Sequence, residues 1–139
     1  MPYVKVWLHL VWSTKERFPF LKKKIRRKVF DHIRENAKKQ GIYLDCVNGY
    51  DDHIHCLASL SSNQTISKLL QLIKGESSYW INQQKLCSPT FEWQEEYFAV
   101  SVSHSQVKKV RAYIHNQEKH HEKKLFQEEY DALMKQYEF

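Results

Sequence analysis

The chain has 139 residues, of which 27% are charged and 42% hydrophobic, as is ordinary for one globular domain spanning residues 1–139. No apolar run approaches twenty residues, and the first segment is too polar and alternating for a signal peptide, so a membrane or secreted protein is not expected. Three widely spaced cysteines argue against a disulfide framework and predict a cytoplasmic location.

Alternating apolar residues near the start of the chain predict a first strand over residues 3–14. A basic amphipathic helix is predicted over residues 21–40, because apolar residues recur at four-residue steps and Gly41 stands where a helix commonly ends. Residues 42–48 predict a second strand. The first third of the chain therefore indicates a strand, a helix and a strand.

The rest of the chain continues this alternation. Residues 53–60 and 97–103 predict two more strands, amphipathic helices are predicted over residues 65–84 and roughly 105–121, and a last helix over 126–136. The order β-α-β-β-α-β followed by helices predicts an α+β protein with a ferredoxin-like, four-stranded antiparallel sheet. Two helices would cover one face, which leaves the other face for a site or for the C-terminal helices.

Two histidines, His53 and His55, lie in the third predicted strand. Residues i and i+2 of a strand share a face, so both imidazoles point the same way, while Cys56 points into the helix-covered core. Two adjacent imidazoles on a face that the core does not need are suited to hold a divalent metal ion. A histidine pair in a strand is more often structural, so the metal interpretation depends on a further ligand.

A candidate for that ligand lies in the third predicted helix. Tyr113 and Gln117 are four residues apart and so share one helix face. A helix laid over the open face of the sheet would present Gln117 as a metal ligand and Tyr113 as a nucleophile. The same spacing also fits Tyr113 as an ordinary packing residue, and spacing alone leaves both interpretations open.

These residues carry a resemblance to the single-tyrosine HUH transposases of small bacterial insertion sequences, a family that includes REP-associated relatives. The family's His-apolar-His signature matches residues 53–55, and its Tyr-x-x-x-Gln pattern matches residues 113–117. The similarity covers nearly the whole chain in the right order, although family members often run further at the C-terminus. Three longer stretches also look like the family: HLVWSTKERFP at 9–19, LIKGESSYWIN at 72–82 and WQEEYFAVSVS at 93–103.

The resemblance implies cleavage and rejoining of single-stranded DNA with hairpin ends. It assigns Tyr113 as the nucleophile, which would form a 5′-phosphotyrosine and release a 3′-hydroxyl. It assigns His53, His55 and Gln117 as ligands of a divalent cation, Mg²⁺ or Mn²⁺. Two DNA ends require two nucleophiles, so a homodimer is implied, in which the tyrosine helix can serve the partner's histidines. No general base can be named from the sequence.

The basic residues are clustered, which suits a phosphate backbone as well as a solvated helix face. Clusters beside Tyr113 and at the start of the first helix favour contact with DNA, and aromatic residues near Lys15 are candidates for stacking on unpaired bases. The predicted DNA-binding residues are Lys15, Arg17, Lys22, Lys23, Lys24, Arg26, Arg27, Lys108, Lys109 and Arg111.

Three other functions stay open on the sequence. A non-catalytic ferredoxin-like module could bind nucleic acid on its sheet, although the aromatic signature of RNA-recognition domains is absent. A metal-dependent phosphodiesterase would use activated water and would not need Tyr113. A domesticated relative would cut host repeat hairpins and mobilise nothing.

Overall fold

A computed structural model describes residues 3–139 and has a four-stranded antiparallel sheet at its centre. The strands lie in the spatial order β2-β3-β1-β4, which confirms the predicted α+β, ferredoxin-like arrangement. The elements in chain order are β1 (Val6–Ser13), α1 (Lys23–Lys39), β2 (Tyr43–Tyr50), β3 (His53–Leu60), α2 (Ile66–Gln83), β4 (Phe98–Val102), α3 (Val107–His115), α4 (Gln117–His121) and α5 (Phe126–Gln136).

The two faces of the sheet are buried under different helices. On one face, Leu10 of β1 and Ile54 and Cys56 of β3 join the main core formed with α1 and α2, as the alternation predicted. On the other face, Val11 of β1 packs with Phe126 of α5. The face left free by α1 and α2 is therefore covered by the C-terminal part of the chain.

The third helix is attached to the sheet by polar contacts with β2. Asn48 donates its side-chain amide to the carbonyls of Ile114 and His115 at 3.0 and 3.1 Å. Arg111 forms a bidentate ion pair with Asp45, with N···O distances of 2.6 and 3.0 Å. Both contacts lie on the strand next to the one that carries the histidine pair.

The helix predicted over residues 105–121 is divided in the structure. A short 3-10 turn spans His104–Gln106, α3 ends at His115 and α4 begins at Gln117, with Asn116 at φ −91° and ψ 12° between them. The carbonyls of Ile114 and His115, the last two residues of α3, accept hydrogen bonds from the Asn48 side chain. A tertiary contact therefore lies at the break, which the local sequence did not predict.

Gly49 lies where β2 turns into β3 and pairs with Ile54. A Cβ at this position would collide with the carbonyl oxygen of His53 and press on the Ile54 backbone. Only glycine allows this close approach, which places the start of β3 against the end of β2. Among residues 3–139, no helix is long and apolar enough to cross a membrane.

Candidate functional site

His53 and His55 lie at the start of β3, on the face covered by the C-terminal helices. Both side chains are fully buried, and their ring centroids are 5.2 Å apart. The prediction that the two imidazoles share a face away from the main core is confirmed.

An outer partner holds the Nδ1 atom of each imidazole. His53 Nδ1 lies 2.9 Å from Asp52 Oδ1, and His55 Nδ1 lies 2.9 Å from Nε2 of His9, which belongs to β1. Contacts of this kind fix the ring orientation and leave Nε2 facing inward, as in histidines that bind metals. His9 was not among the predicted site residues.

Burial keeps two of these imidazoles uncharged. It lowers the pKa of His55 to about 4, and burial together with the neighbouring His55 lowers the pKa of His9 to about 3. Burial also opposes charge on His53, but hydrogen bonds with Asp52 and Glu129 raise the pKa of His53 overall. Neutral imidazole is the form that coordinates a metal ion, so His55 is already in that form.

The helices α3 and α4 bring the other two predicted residues to the histidines. Gln117 is fully buried, and its Oε1 lies 3.0 Å from His53 Nε2. The Tyr113 ring lies 5.7 Å from the ring of His55. The structure therefore brings His53, His55, Tyr113 and Gln117 together across the helix break, while their chemical roles stay predictions.

Glu129 of α5 lies at the centre of this group, and the sequence interpretation missed it. Its Oε1 lies 3.3 Å from His53 Nε2, 3.2 Å from His55 Nε2 and 2.9 Å from His121 Nε2. His121 is itself held through Nδ1 by the carbonyl of Lys124. One carboxylate oxygen thus faces three imidazoles.

The second oxygen of Glu129 contacts the other two site residues. Glu129 Oε2 accepts hydrogen bonds from the Gln117 amide at 3.0 Å and from the Tyr113 hydroxyl. A sequence signal for Glu129 exists, because Phe126, Glu129 and Leu133 are the buried positions of α5. A single acid within an apolar helix face requires a partner, although its periodicity does not say which one.

The buried charges of this site shift the pKa values of Glu129 and of the candidate nucleophile, Tyr113. Burial alone would raise the pKa of Glu129, but hydrogen bonds from His121, His53 and His55 hold that pKa far below its usual range. Burial and the negative charge of Glu129 raise the pKa of Tyr113 well above its ordinary value. In this arrangement the Tyr113 phenol keeps its proton and donates a hydrogen bond to Glu129.

The donor atoms of the site fit a divalent cation. His53, His55 and Glu129 place one ligand atom each within 4.8 Å of one another, and His120, His121 and Glu129 do the same. Imidazole nitrogens are common ligands of divalent transition metals, and carboxylate and amide oxygens suit Mg²⁺ and Mn²⁺. The described residues therefore include a donor set for the metal that the sequence predicted.

A cleft of about 540 Å³ reaches the site from the side of β4. His9 and Tyr113 line its inner end, and Lys109, Ser101 and Gln136 line its outer part. The nucleophile candidate, itself only partly buried, is thus approached through a cleft that carries a basic residue.

Most of the predicted DNA-binding residues are exposed, but Arg26 is not. Its side chain is 3% exposed, and its Nη1 donates to Asp51 Oδ1 at 2.8 Å and to the Leu21 carbonyl at 3.0 Å. The guanidinium also lies 4.8 Å from the centre of the Tyr50 ring and 3.2 Å from Glu118 Oε1. The predicted phosphate contact is therefore wrong for Arg26, which ties α1 to the turn before His53.

Several other predicted basic residues already have partners. Lys15 pairs with Glu92 at 2.8 Å, Arg111 pairs with Asp45, and Arg17 lies over the ring of Phe126 at 5.2 Å. Lys22 and Arg27 make longer contacts, of 3.5 Å with Asp51 and 3.7 Å with Asp31. Of the predicted residues at the start of α1 and in α3, the exposed ones are Lys22, Lys23, Lys24, Arg27, Lys108 and Lys109.

Comparison with known proteins finds the same family over most of the chain. The family model described as "Transposase IS200 like" matches residues 2–117. The ISDra2 transposase TnpA of Deinococcus radiodurans is 26% identical over 115 residues, which are 78% of this chain and 81% of that protein.

Two solved structures are similar in fold. A Deinococcus radiodurans protein described as a transposase superimposes with a TM-score of 0.66 at 24% identity, over 84% of this chain and 95% of that one. A REP-associated tyrosine transposase bound to a REP hairpin superimposes with a TM-score of 0.56 at 15% identity, over 84% of this chain and 68% of that one.

Proposed function

Because the chain belongs to the IS200-like transposase family, whose members are DNA transposases, we propose that it cleaves and rejoins single-stranded DNA through a covalent bond to Tyr113. The observation that supports this most directly is the meeting of Tyr113 with His53, His55 and Gln117 in one site. These residues come from three elements, and the Tyr113 hydroxyl points into the polar site that the histidines form with Glu129.

Tyr113 supplies the nucleophile. Its Oη attacks the scissile phosphorus, a bond forms between Oη and phosphorus, and the bond from phosphorus to the 3′ oxygen breaks. The phenol proton passes to solvent during the attack, and the departing 3′ oxygen takes up a proton from water, so the products are a 5′-phosphotyrosine and a free 3′-hydroxyl. A later attack by a 3′-hydroxyl on the phosphotyrosine reverses these steps and releases the tyrosine. The phosphodiester energy is kept in the covalent bond, so rejoining needs no ATP.

His53, His55 and Gln117 would hold a divalent cation, Mg²⁺ or Mn²⁺. Such an ion supplies positive charge that stabilises the developing charge on the scissile phosphate. The protein's own part is orientation, because Asp52 and His9 hold the two imidazoles from outside. The donor set of the site supports this assignment.

Single-stranded DNA with hairpin ends is the proposed substrate. The REP-associated relative of similar fold was solved bound to a REP hairpin. The exposed lysines at the start of α1 and in α3 lie on elements that border the site, and they suit phosphate contacts. A homodimer is proposed as well, because two DNA ends require two tyrosines.

A covalent-adduct assay tests the proposal. The wild-type chain, Tyr113→Phe and Tyr79→Phe are incubated with a pool of hairpin-containing single strands and Mn²⁺, and the products are separated on a denaturing gel. We expect protein–DNA adducts with the wild type and with Tyr79→Phe, because Tyr79 is exposed on α2. We expect none with Tyr113→Phe, which keeps the ring and loses only the nucleophilic oxygen.

The same gel separates the alternatives. If Tyr113→Phe still cuts DNA to ordinary free ends, water is the nucleophile and the protein is a metal-dependent nuclease. If the wild type binds these strands and never cuts them with any divalent metal, the protein is a binding module.

A further inference from the structure

Glu129 is a carboxylate on a helix face that is otherwise apolar. Phe126 and Leu133, on the same face of α5, pack with Val11 and Phe98 against the sheet. Glu129 is 2% exposed, and burying a carboxylate costs several kcal/mol unless it is paired. The packing of α5 therefore depends on groups that compensate for this charge.

When its histidines are neutral, the site around Glu129 contains more hydrogen-bond acceptors than donors. Because the Asp52 carboxylate accepts from His53 Nδ1, His53 in its neutral, metal-binding form presents only a lone pair at Nε2. That lone pair faces Gln117 Oε1 at 3.0 Å and Glu129 Oε1 at 3.3 Å, and both are acceptors. Exchanging the oxygen and nitrogen of the Gln117 amide would only move the conflict to Glu129 Oε2.

Either a proton on His53 Nε2 or a bound metal cation resolves this conflict, and the distances agree with a metal cation. Glu129 Oε1 lies 3.3 Å from His53 Nε2 and 3.2 Å from His55 Nε2, and Gln117 Oε1 lies 3.0 Å from His53 Nε2. Adjacent ligand atoms of an octahedral cation with bonds of about 2.0–2.1 Å are about 3 Å apart. Glu129 Oε1 thus lies at the distance from His53 Nε2 and His55 Nε2 that is expected of another ligand atom of the same ion.

Building on the proposed metal-dependent cleavage, we propose that Glu129 is a further ligand of the ion, added by α5 to His53, His55 and Gln117. Oε1 is the ligand atom, and Oε2 accepts from Tyr113 and so holds the nucleophile beside the metal site. A ligand set that includes a negatively charged oxygen favours hard divalent cations such as Mg²⁺ and Mn²⁺ more than a set of neutral donors does.

Titration of Mn²⁺ into the DNA-free chain by calorimetry tests this role. Glu129→Gln keeps the shape of the side chain and removes its charge, and Asp131→Asn makes the same change at an exposed position of α5. We expect Glu129→Gln to weaken Mn²⁺ binding by at least tenfold, since even outer partners of metal ligands change affinity by about 10–100-fold. Asp131→Asn should bind Mn²⁺ as the wild type does.

A His53→Ala, His55→Ala variant in the same titration separates this proposal from the one on which it rests. If the histidine variant loses Mn²⁺ binding while Glu129→Gln binds as tightly as the wild type or more tightly, Glu129 is no ligand and the proposed metal site stands. If neither the wild type nor any variant binds Mn²⁺, both proposals fail.

A measurement on the wild-type chain covers the case in which Glu129→Gln does not fold. Coordination shifts the infrared stretching bands of a carboxylate, and difference spectra with and without Mn²⁺ report such shifts. A carboxylate shift at one Mn²⁺ per chain that persists in Asp52→Asn supports the assignment. The absence of any shift at saturating Mn²⁺ overturns it.

Discussion

His9 Nε2 lies 2.9 Å from His55 Nδ1, and this contact joins β1 to β3 across the face of the sheet that carries the candidate site. In the register of the two strands, His9 is opposite Leu57 and His55 is opposite Val11, so the histidines are diagonal neighbours. The contact orients the His55 ring with Nε2 toward the site. His9 is therefore a positioning residue that acts through His55.

The first prediction concerns this positioning role. His9→Ala should weaken Mn²⁺ binding by about 10–100-fold, because the His55 ring loses the partner that fixes its orientation and tautomer. His9→Gln, which can still hydrogen-bond to Nδ1, should recover part of that loss. Calorimetric titration measures both, with His104→Ala as the control at an exposed histidine outside the site. Equal Mn²⁺ affinity for His9→Ala and the wild type, with an intact fold, would contradict the assignment.

A second prediction compares two adjacent arginines of α1. Arg26 is buried and bound to Asp51, whereas the side chain of Arg27 is 88% exposed. Arg26→Met should lower the free energy of unfolding by about 1–3 kcal/mol, because Asp51 and the Leu21 carbonyl lose their donor. Arg27→Met should leave stability nearly unchanged and weaken DNA binding. Urea denaturation measures the first effect, and the opposite ranking of the two variants would show that Arg26 is dispensable for the fold.

The exposed lysines at the two ends of α1 give a matched test of the DNA surface. Arg26 connects the start of α1 to Asp51 and Glu118, beside the site, while Lys38 and Lys39 lie about 20 Å away along the helix. A plot of the logarithm of the DNA association constant against the logarithm of the salt concentration has a slope to which each phosphate contact on a single strand contributes about 0.7. Changing Lys23 and Lys24 to Gln should therefore reduce the magnitude of that slope by about 1.4.

The control for this test changes Lys38 and Lys39 to Gln and removes the same charge. Fluorescence anisotropy with a hairpin-containing single strand at several salt concentrations gives the slope for each variant. If both pairs change the slope equally, the lysines act through net charge, and the start of α1 is no specific contact surface.

A fourth prediction concerns Gly49 and its close approach to the His53 carbonyl. Gly49→Ala should destabilise the protein by about 1–3 kcal/mol, because the added methyl group forces the β2–β3 turn apart. Gly75→Ala, in α2 with open space at the Cβ position, should stabilise it by about 0.4–1 kcal/mol. Thermal and urea unfolding measure both changes. A tolerated Gly49→Ala would mean that the backbone before His53 has room to adjust.

Mixing two inactive variants shows how the site is assembled. Within one chain, α3 is fastened to β2 by Asn48 and Arg111, which places Tyr113 beside that chain's own histidines. A mixture of Tyr113→Phe with His53→Ala, His55→Ala should therefore stay inactive in the adduct assay, because every site lacks a part. Recovery of adducts after subunit exchange would show instead that the tyrosine helix serves the partner's site.

The sequence by itself determined the element order and the side of the sheet on which the histidine pair lies. Alternation and helical periodicity predicted β3 over 53–60 and the last helix over 126–136, and both bounds agree with the structure. The shared face of His53 and His55 followed from the two-residue period of a strand, which is a local property of the backbone. The spacing of Tyr113 and Gln117 predicted a shared helix face, and the family resemblance, not the spacing, assigned them a joint role.

Only the tertiary structure decided which distant side chains complete the site. His9 and Glu129 reach His55 through strand register and through the docking of α5, and neither can be read from the local sequence. Arg26 and the break at Asn116 likewise each have a partner far away in the chain, which local sequence patterns do not report. Periodicity reports which face of an element is buried, whereas hydrogen bonds between elements depend on how those faces are brought together in space.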